Sequence, residues 1–109
     1  MDESQLLKGI LEGCVLAIIS RKETYGYDII MQLNNYGFHN IIEGTLYPVL
    51  TRLEKRGAIK CRKAKSPLGP VRKYYSITPP GETELQEFRI LYENVTDTAR
   101  HILFDELGD

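Results

Sequence analysis

The stretch Glu43 to Gly57, with the basic two-strand pattern that follows it as far as Ser76, constrains this chain more than any other feature. It reads Glu-Gly-Thr-Leu-Tyr-Pro-Val-Leu-Thr-Arg-Leu-Glu-Lys-Arg-Gly. Leu46, Val49, Leu50 and Leu53 fall on one side of a helix, and Gly57 closes it. Ala58–Ala64 and Val71–Ile77 then alternate as a hairpin around Ser66-Pro67-Leu68-Gly69-Pro70, a run that forbids regular structure. Thr51, Arg52, Lys55, Arg56, Lys60, Arg62, Lys63, Lys65, Arg72 and Lys73 decorate the exposed side. A short helix beside a basic hairpin fits a DNA major groove and its flanking phosphates.

Pro48 sets a further condition, because proline lacks an N–H and is harmless only in the first helical turn. It favours a helix start near Gly44–Thr45, capped by the Thr45 hydroxyl. Thr45, Leu46 and Tyr47 then stand at the N-terminal end, where phosphate is favoured.

Charge is segregated along the chain. Residues 1–51 carry three basic and six acidic side chains, a balance of −3. Residues 52–73 carry nine basic and one acidic, +8, and residues 74–109 two basic and eight acidic, −6. The net charge of −1 hides a local footprint for a polyanion. Cys14 and Cys61 lack metal-ligand spacing and read as reduced thiols of a cytoplasmic protein, and His39 and His101 are isolated, so neither a metal nor any other cofactor is expected. No apolar run approaches a membrane span, and the acidic start is unlike a signal peptide. Serine–histidine or cysteine–histidine pairs, a glycine-rich phosphate loop and a clustered carboxylate pair are all missing, which argues against an enzyme.

Before the central helix, Gln5–Ser20 is apolar on more than one face and predicts a helix buried on most sides. Thr24 offers a cap for a second helix, Tyr25–Asn35, with Tyr27, Ile29, Ile30 and Leu33 inward and Gly37 as its stop. Thr78-Pro79-Pro80 opens a last helix running to about Leu107, roughly 40 Å long. Leu85, Tyr92 and Ala99 recur at seven residues, as do Phe88, Val95 and Ile102, and Leu91 widens the seam. A helix this long outreaches the preceding core, so it predicts a dimer.

The expected fold is mostly α with a small β-hairpin. A winged helix-turn-helix occupies residues 1–78 and a C-terminal dimerisation helix residues 79–109. Tyr25-Gly26-Tyr27-Asp28-Ile29, Glu43 to Leu50, Arg52 to Gly57 and Arg72 to Thr78 together resemble the PadR-type transcriptional regulators, over about Leu7 to Leu85. The short tail resembles the small subfamily with one C-terminal helix. The resemblance implies a homodimeric repressor that binds a roughly palindromic operator and releases it on a small-molecule or other signal. Members often carry serine two residues before the glycine of the Gly-Thr-Leu-Tyr-Pro run, where this chain has Ile42. Members that bind flat drugs can stack them on a tryptophan of the last helix, and this chain has none.

Groove contact falls to Gly44, Thr45, Tyr47, Thr51 and Arg52. Arg52 would read guanine bidentately, or else meet phosphate or pair with Glu23 or Glu54. Tyr47 is equally a core ring with its hydroxyl outward. Tyr25, at the start of the second helix, would hold phosphate, whereas Tyr27 and Ile29 belong in the core. Lys63, Lys65, Arg72 and Lys73 would contact phosphate or the minor groove, and only one of Tyr74 and Tyr75 can face inward. The dimer seam would comprise Leu85, Phe88, Leu91, Tyr92, Val95, Ala99 and Ile102. An effector pocket would be walled by Leu11, Val15, Phe88 and Tyr92. The competing reading is a winged helix whose basic stripe meets an acidic protein.

Overall fold

The apolar N-terminal run forms two helices rather than one. In the computed structural model, which describes residues 1–105, α1 spans Glu3–Leu6 and α2 spans Leu11–Arg21. The break falls at Gly9, whose φ of +85° is left-handed and suits glycine. Glu3 fastens α1 to the loop after the third helix, its carboxylate accepting from the His39 backbone N–H at 2.6 Å. As the sequence predicts, α2 is buried on most sides, with Leu11, Val15, Leu16, Ile18 and Ile19 in the core.

Thr24–Tyr25 forms a short strand, β1, rather than a helix cap, and α3 then spans Gly26–Tyr36. The Thr24 hydroxyl donates to the Asp28 carboxylate at 2.6 Å instead of receiving a backbone N–H. Ile29 and Leu33 are buried, but Tyr27 is 63% exposed, contrary to its expected core position. Gly37 stops α3 at a φ of +126°.

The central helix, α4, spans Glu43–Lys55 and begins earlier than Pro48 suggested. Ile42 is the extended N-cap residue and provides no side-chain acceptor, so Thr45 lies inside the first turn and caps nothing. The helix accommodates Pro48 because the carbonyl that loses a donor is that of Gly44, which is exposed and can meet water. Strands β2 (Ile59–Lys65) and β3 (Val71–Ile77) form the hairpin. With β1 they make a three-stranded antiparallel sheet in the order β1-β3-β2.

The last helix, α5, spans Pro79–Phe104, and the Leu107 end expected for it lies outside the described residues. Thr78 caps it by accepting from the Gly81 N–H at 3.1 Å, while its hydroxyl donates to the Gly57 carbonyl. That second bond ties the start of α5 to the end of α4. Gly81 and Leu85 are the buried residues of α5, so its distal portion leaves the core. The architecture is thus a winged helix carrying a long C-terminal helix.

Candidate nucleic-acid interface

α4 turns its buried face, Leu46, Val49, Leu50 and Leu53, against α2 and α3. At 3.6 residues per turn the direction opposite belongs to Gly44, Pro48, Thr51 and Lys55, all exposed. Tyr47 flanks that face toward the hairpin, whereas Thr45, Arg52 and Arg56 flank it toward α2. Lys55 therefore joins the outward face, a position that the helical wheel around Leu46 and Leu50 makes legible.

Arg52 has a partner other than those anticipated. Its Nε lies 3.1 Å from Glu12 of α2, not against Glu23 or Glu54. Glu12 also receives Arg56 at 3.0 Å, and Arg56 reaches Glu84 of α5 at 2.6 Å. One side of α4 is thus linked by ion pairs to α2 and α5.

On the other side, the Tyr47 hydroxyl rests over Gly26, only 2.6 Å from where a Cβ at that position would stand. Gly26 keeps the start of α3 bare for this contact. The N-cap residue of α3 is Tyr25, which makes no side-chain capping bond. Both helices of the helix-turn-helix thus begin without a side-chain cap, leaving N–H groups for another acceptor. Tyr25, Gly26, Tyr47, Leu68, Arg72 and Lys73 surround a cleft of about 510 Å³ between α3, α4 and the wing.

The sheet register sorts the wing's charges onto two faces. Lys60 pairs with Ser76, Arg62 with Tyr74, and Ala64 with Arg72, while Tyr25 lies beside Tyr74 across β1–β3. On this outer face Arg72 stacks 3.8 Å over the Tyr25 ring, and Tyr25 meets Tyr74 edge-on at 5.8 Å. Arg62 lies 5.0 Å over Tyr74 and grips Glu23 with two bonds of 2.8 and 2.6 Å. The Arg62 bond holds the Glu23 carboxyl below its ordinary range. This arginine–tyrosine ladder fixes Arg72 beside the α3 N-terminus. Alternation hints at it in the sequence, but β1 had to be recognised as a strand first.

The inner face carries Ile59, Cys61, Tyr75 and Ile77 toward the core, so Tyr75 is the inward tyrosine. Beyond the core the same face continues with Lys63, Lys65 and Lys73, all exposed. Lys63 sits directly across from Lys73. Like charges facing one another destabilise a sheet unless an anion joins them. Among the described residues no carboxylate lies within 4.0 Å of either ammonium.

The residues expected in the seam divide between two environments. Leu85, at 2% exposure, belongs to the protein's own core, and Phe88 packs its ring on Gly13 of α2. Leu91, Tyr92, Val95, Ala99 and Ile102 are exposed, and Ile90, Leu103 and Phe104 add to the same uncovered helix. The expected effector walls also separate. Leu11 and Val15 are core residues, on the side of α2 opposite the Gly13 that Phe88 covers. Phe88 and Tyr92 instead face Leu6, Ile10, Cys14 and Ala17 across a groove of about 430 Å³. Burial pushes the thiols of Cys14 and Cys61 up from their ordinary pKa. Among the described residues no cluster of His, Cys, Asp or Glu could hold a metal, and no helix is long and apolar enough to cross a membrane.

Comparison with known proteins settles the lineage. Residues 15–87 match the model of the transcriptional regulator PadR-like family. The chain belongs to the PadR family of transcriptional regulators. A PadR-like regulator from Bacillus cereus superposes with a TM-score of 0.81 at 45% identity, over 92% of this chain and 97% of that one. A Streptococcus transcriptional regulator gives 0.80 at 43%, over 92% and 98%. Bacillus subtilis PadR, whose structure is a complex with operator DNA, gives 0.67 at 26%, over 74% of this chain and 47% of that one. The PadR match spans the helix-turn-helix, the wing and the first turns of α5.

Proposed function

We propose that this PadR-family regulator is a homodimeric, sequence-specific DNA-binding repressor that works in the cytoplasm and leaves its operator on a small-molecule or other signal. The facing lysines Lys63 and Lys73 carry the reading. Among the described residues they form a cationic pair without a local counter-charge, on the sheet face that continues from beneath α4. Duplex DNA supplies phosphates for such a pair while α4 occupies the major groove. The operator complex of Bacillus subtilis PadR supports the same use of this fold.

In this reading Gly44, Thr51 and Lys55 meet base edges, and Tyr47 and Arg52 flank them. Tyr25 and Arg72, with the uncapped start of α3, hold one phosphate, and Lys63, Lys65 and Lys73 hold others. Residues 79–109 provide the dimer contact through Leu91, Tyr92, Val95, Ala99 and Ile102, since this apolar stripe needs a cover. An effector would enter the groove beside Phe88 and Tyr92. The test is selection of duplexes from a random pool at near-physiological salt. A two-fold symmetric motif, with half-sites about 10 base pairs apart or a multiple of it, is the expected product. Recovery of unrelated sequences by folded, dimeric protein would reject the reading.

A further inference from the structure

Glu12 of α2 holds two arginines of α4, one on each carboxylate oxygen. Its Oε2 accepts from the Arg52 Nε at 3.1 Å, and its Oε1 pairs with an Arg56 Nη at 3.0 Å. Arg56 is held in turn by Glu84, which fixes the setting of the Glu12 carboxylate from a third helix. Glu12 also stands in the first turn of α2, where the helix dipole favours a negative charge. Among the described residues the two terminal nitrogens of Arg52 donate to no side chain or carbonyl. The guanidinium is thus gripped at Nε and open at its terminal fork.

Stability is a weak reason for this grip. The Arg52 side chain is 53% exposed, and ion pairs so exposed add little to folding. Orientation is the larger gain. An unrestrained arginine loses rotamer entropy when it docks, and Glu12 has already removed part of that freedom. Charge decides what the open fork should meet. Lys63 and Lys73 have no neighbouring carboxylate among the described residues and suit phosphate. Glu12 instead offsets the charge of Arg52, which weakens its pull on phosphate. The terminal N–H groups keep their directions and match the paired acceptors O6 and N7 of guanine. Arg52 flanks the outward row of Pro48, Thr51 and Lys55, within reach of the groove for so long a side chain.

We propose that Glu12 is a positioning residue that sets specificity: by holding the Arg52 Nε, it aims the Arg52 fork at one guanine of each half-site. The proposal rests on the operator-binding reading above and assigns one base of the operator to a residue pair. Glu12 itself touches no base. Its carboxylate, placed beside the DNA, opposes binding to phosphate in general while favouring the one contact that it orients. Removing it should therefore move specific and non-specific binding in opposite directions.

The experiment uses a duplex obtained by selection, with each guanine in turn replaced by 7-deazaguanine, which lacks the N7 acceptor but keeps its base pair. Wild-type protein should lose roughly fivefold or more in affinity at one guanine per half-site, the guanine at which Arg52→Ala loses nothing further. Glu12→Ala should lose less than about twofold at that same guanine, since the two effects are coupled through Arg52. It should bind a scrambled duplex at least as tightly as wild type, with a salt slope steeper by about one, because Arg52 is released to phosphate. Should Glu12→Ala not fold, Glu12→Gln, whose neutral amide holds Arg52 less firmly, is compared in the same way. A full wild-type loss in the Glu12 variant, or no guanine that depends on Arg52, would overturn the proposal. So would an equal fall in affinity for selected and scrambled duplexes, which marks a merely structural ion pair. Failure of the selection itself would remove the operator reading first, and this assignment with it.

Discussion

Phe88 of α5 lies on Gly13 of α2 so closely that a Cβ at position 13 would overlap the ring. This contact, with Leu85 in the core, seats the proximal part of α5 on the winged helix. Gly13→Ala should therefore lower stability by about 1–3 kcal/mol, the usual cost of overpacking. Denaturant midpoints report it, and an unchanged midpoint would mean that the ring swings aside freely.

Lys63 and Lys73 predict effects of opposite sign. Lys63→Ala removes a like-charge cross-strand pair and should stabilise the free protein by roughly 0.2–1 kcal/mol. The same change should weaken binding to every duplex and lower the salt slope by about one. Thermal melts and salt titrations on one preparation check both. A variant that both loses stability and keeps its DNA affinity contradicts the assigned role.

Arg72 differs from its lysine neighbours because its guanidinium stacks on Tyr25. Arg72→Lys keeps the charge but loses the flat stack and the fork of donors. Affinity should fall severalfold for operator and non-operator DNA alike, leaving their ratio unchanged. A changed ratio would make Arg72 a base reader.

Two substitutions on α5 should behave differently. Val95→Asp alters an exposed position and should give folded monomer, whereas Leu85→Asp places a charge in the core and should unfold the chain. Sedimentation and circular dichroism separate these outcomes. A folded dimer carrying Val95→Asp would place the interface elsewhere.

Tyr75 supplies an alkaline signature. Burial pushes its phenol from 10 up to about 12. The folded state thus keeps the proton where the unfolded chain has released it. Stability from this group is complete below pH 10 and is lost as pH rises from 10 toward 12. Tyr75→Phe should flatten that decline, as measured by the difference between two pH-dependent denaturation series. Parallel series would remove Tyr75 from the effect.

Much of this architecture is legible in the sequence because periodicity reports burial. Leu46, Val49, Leu50 and Leu53 announce α4, and Thr78-Pro79-Pro80 announces the start of α5. The misses have physical causes. Gly9 splits the first helix although the apolar pattern runs through it. Thr24 looks like a cap, yet two residues of strand pairing claim it for the sheet. Leu85 has the same heptad spacing as Tyr92, but periodicity cannot tell a core neighbour from a partner subunit. The Arg52–Glu12 and Arg62–Glu23 pairs join residues about forty positions apart, which no local pattern reveals.

The proposed dimer would read one DNA sequence through α4 and grip the phosphates with its wing. Its most direct test is the affinity for a selected palindromic duplex against a scrambled one, measured across a salt series. The selected duplex should be preferred about a thousandfold or more at physiological salt, with steep salt dependence for both duplexes. Equal affinity for the two duplexes, or binding indifferent to salt, would contradict it.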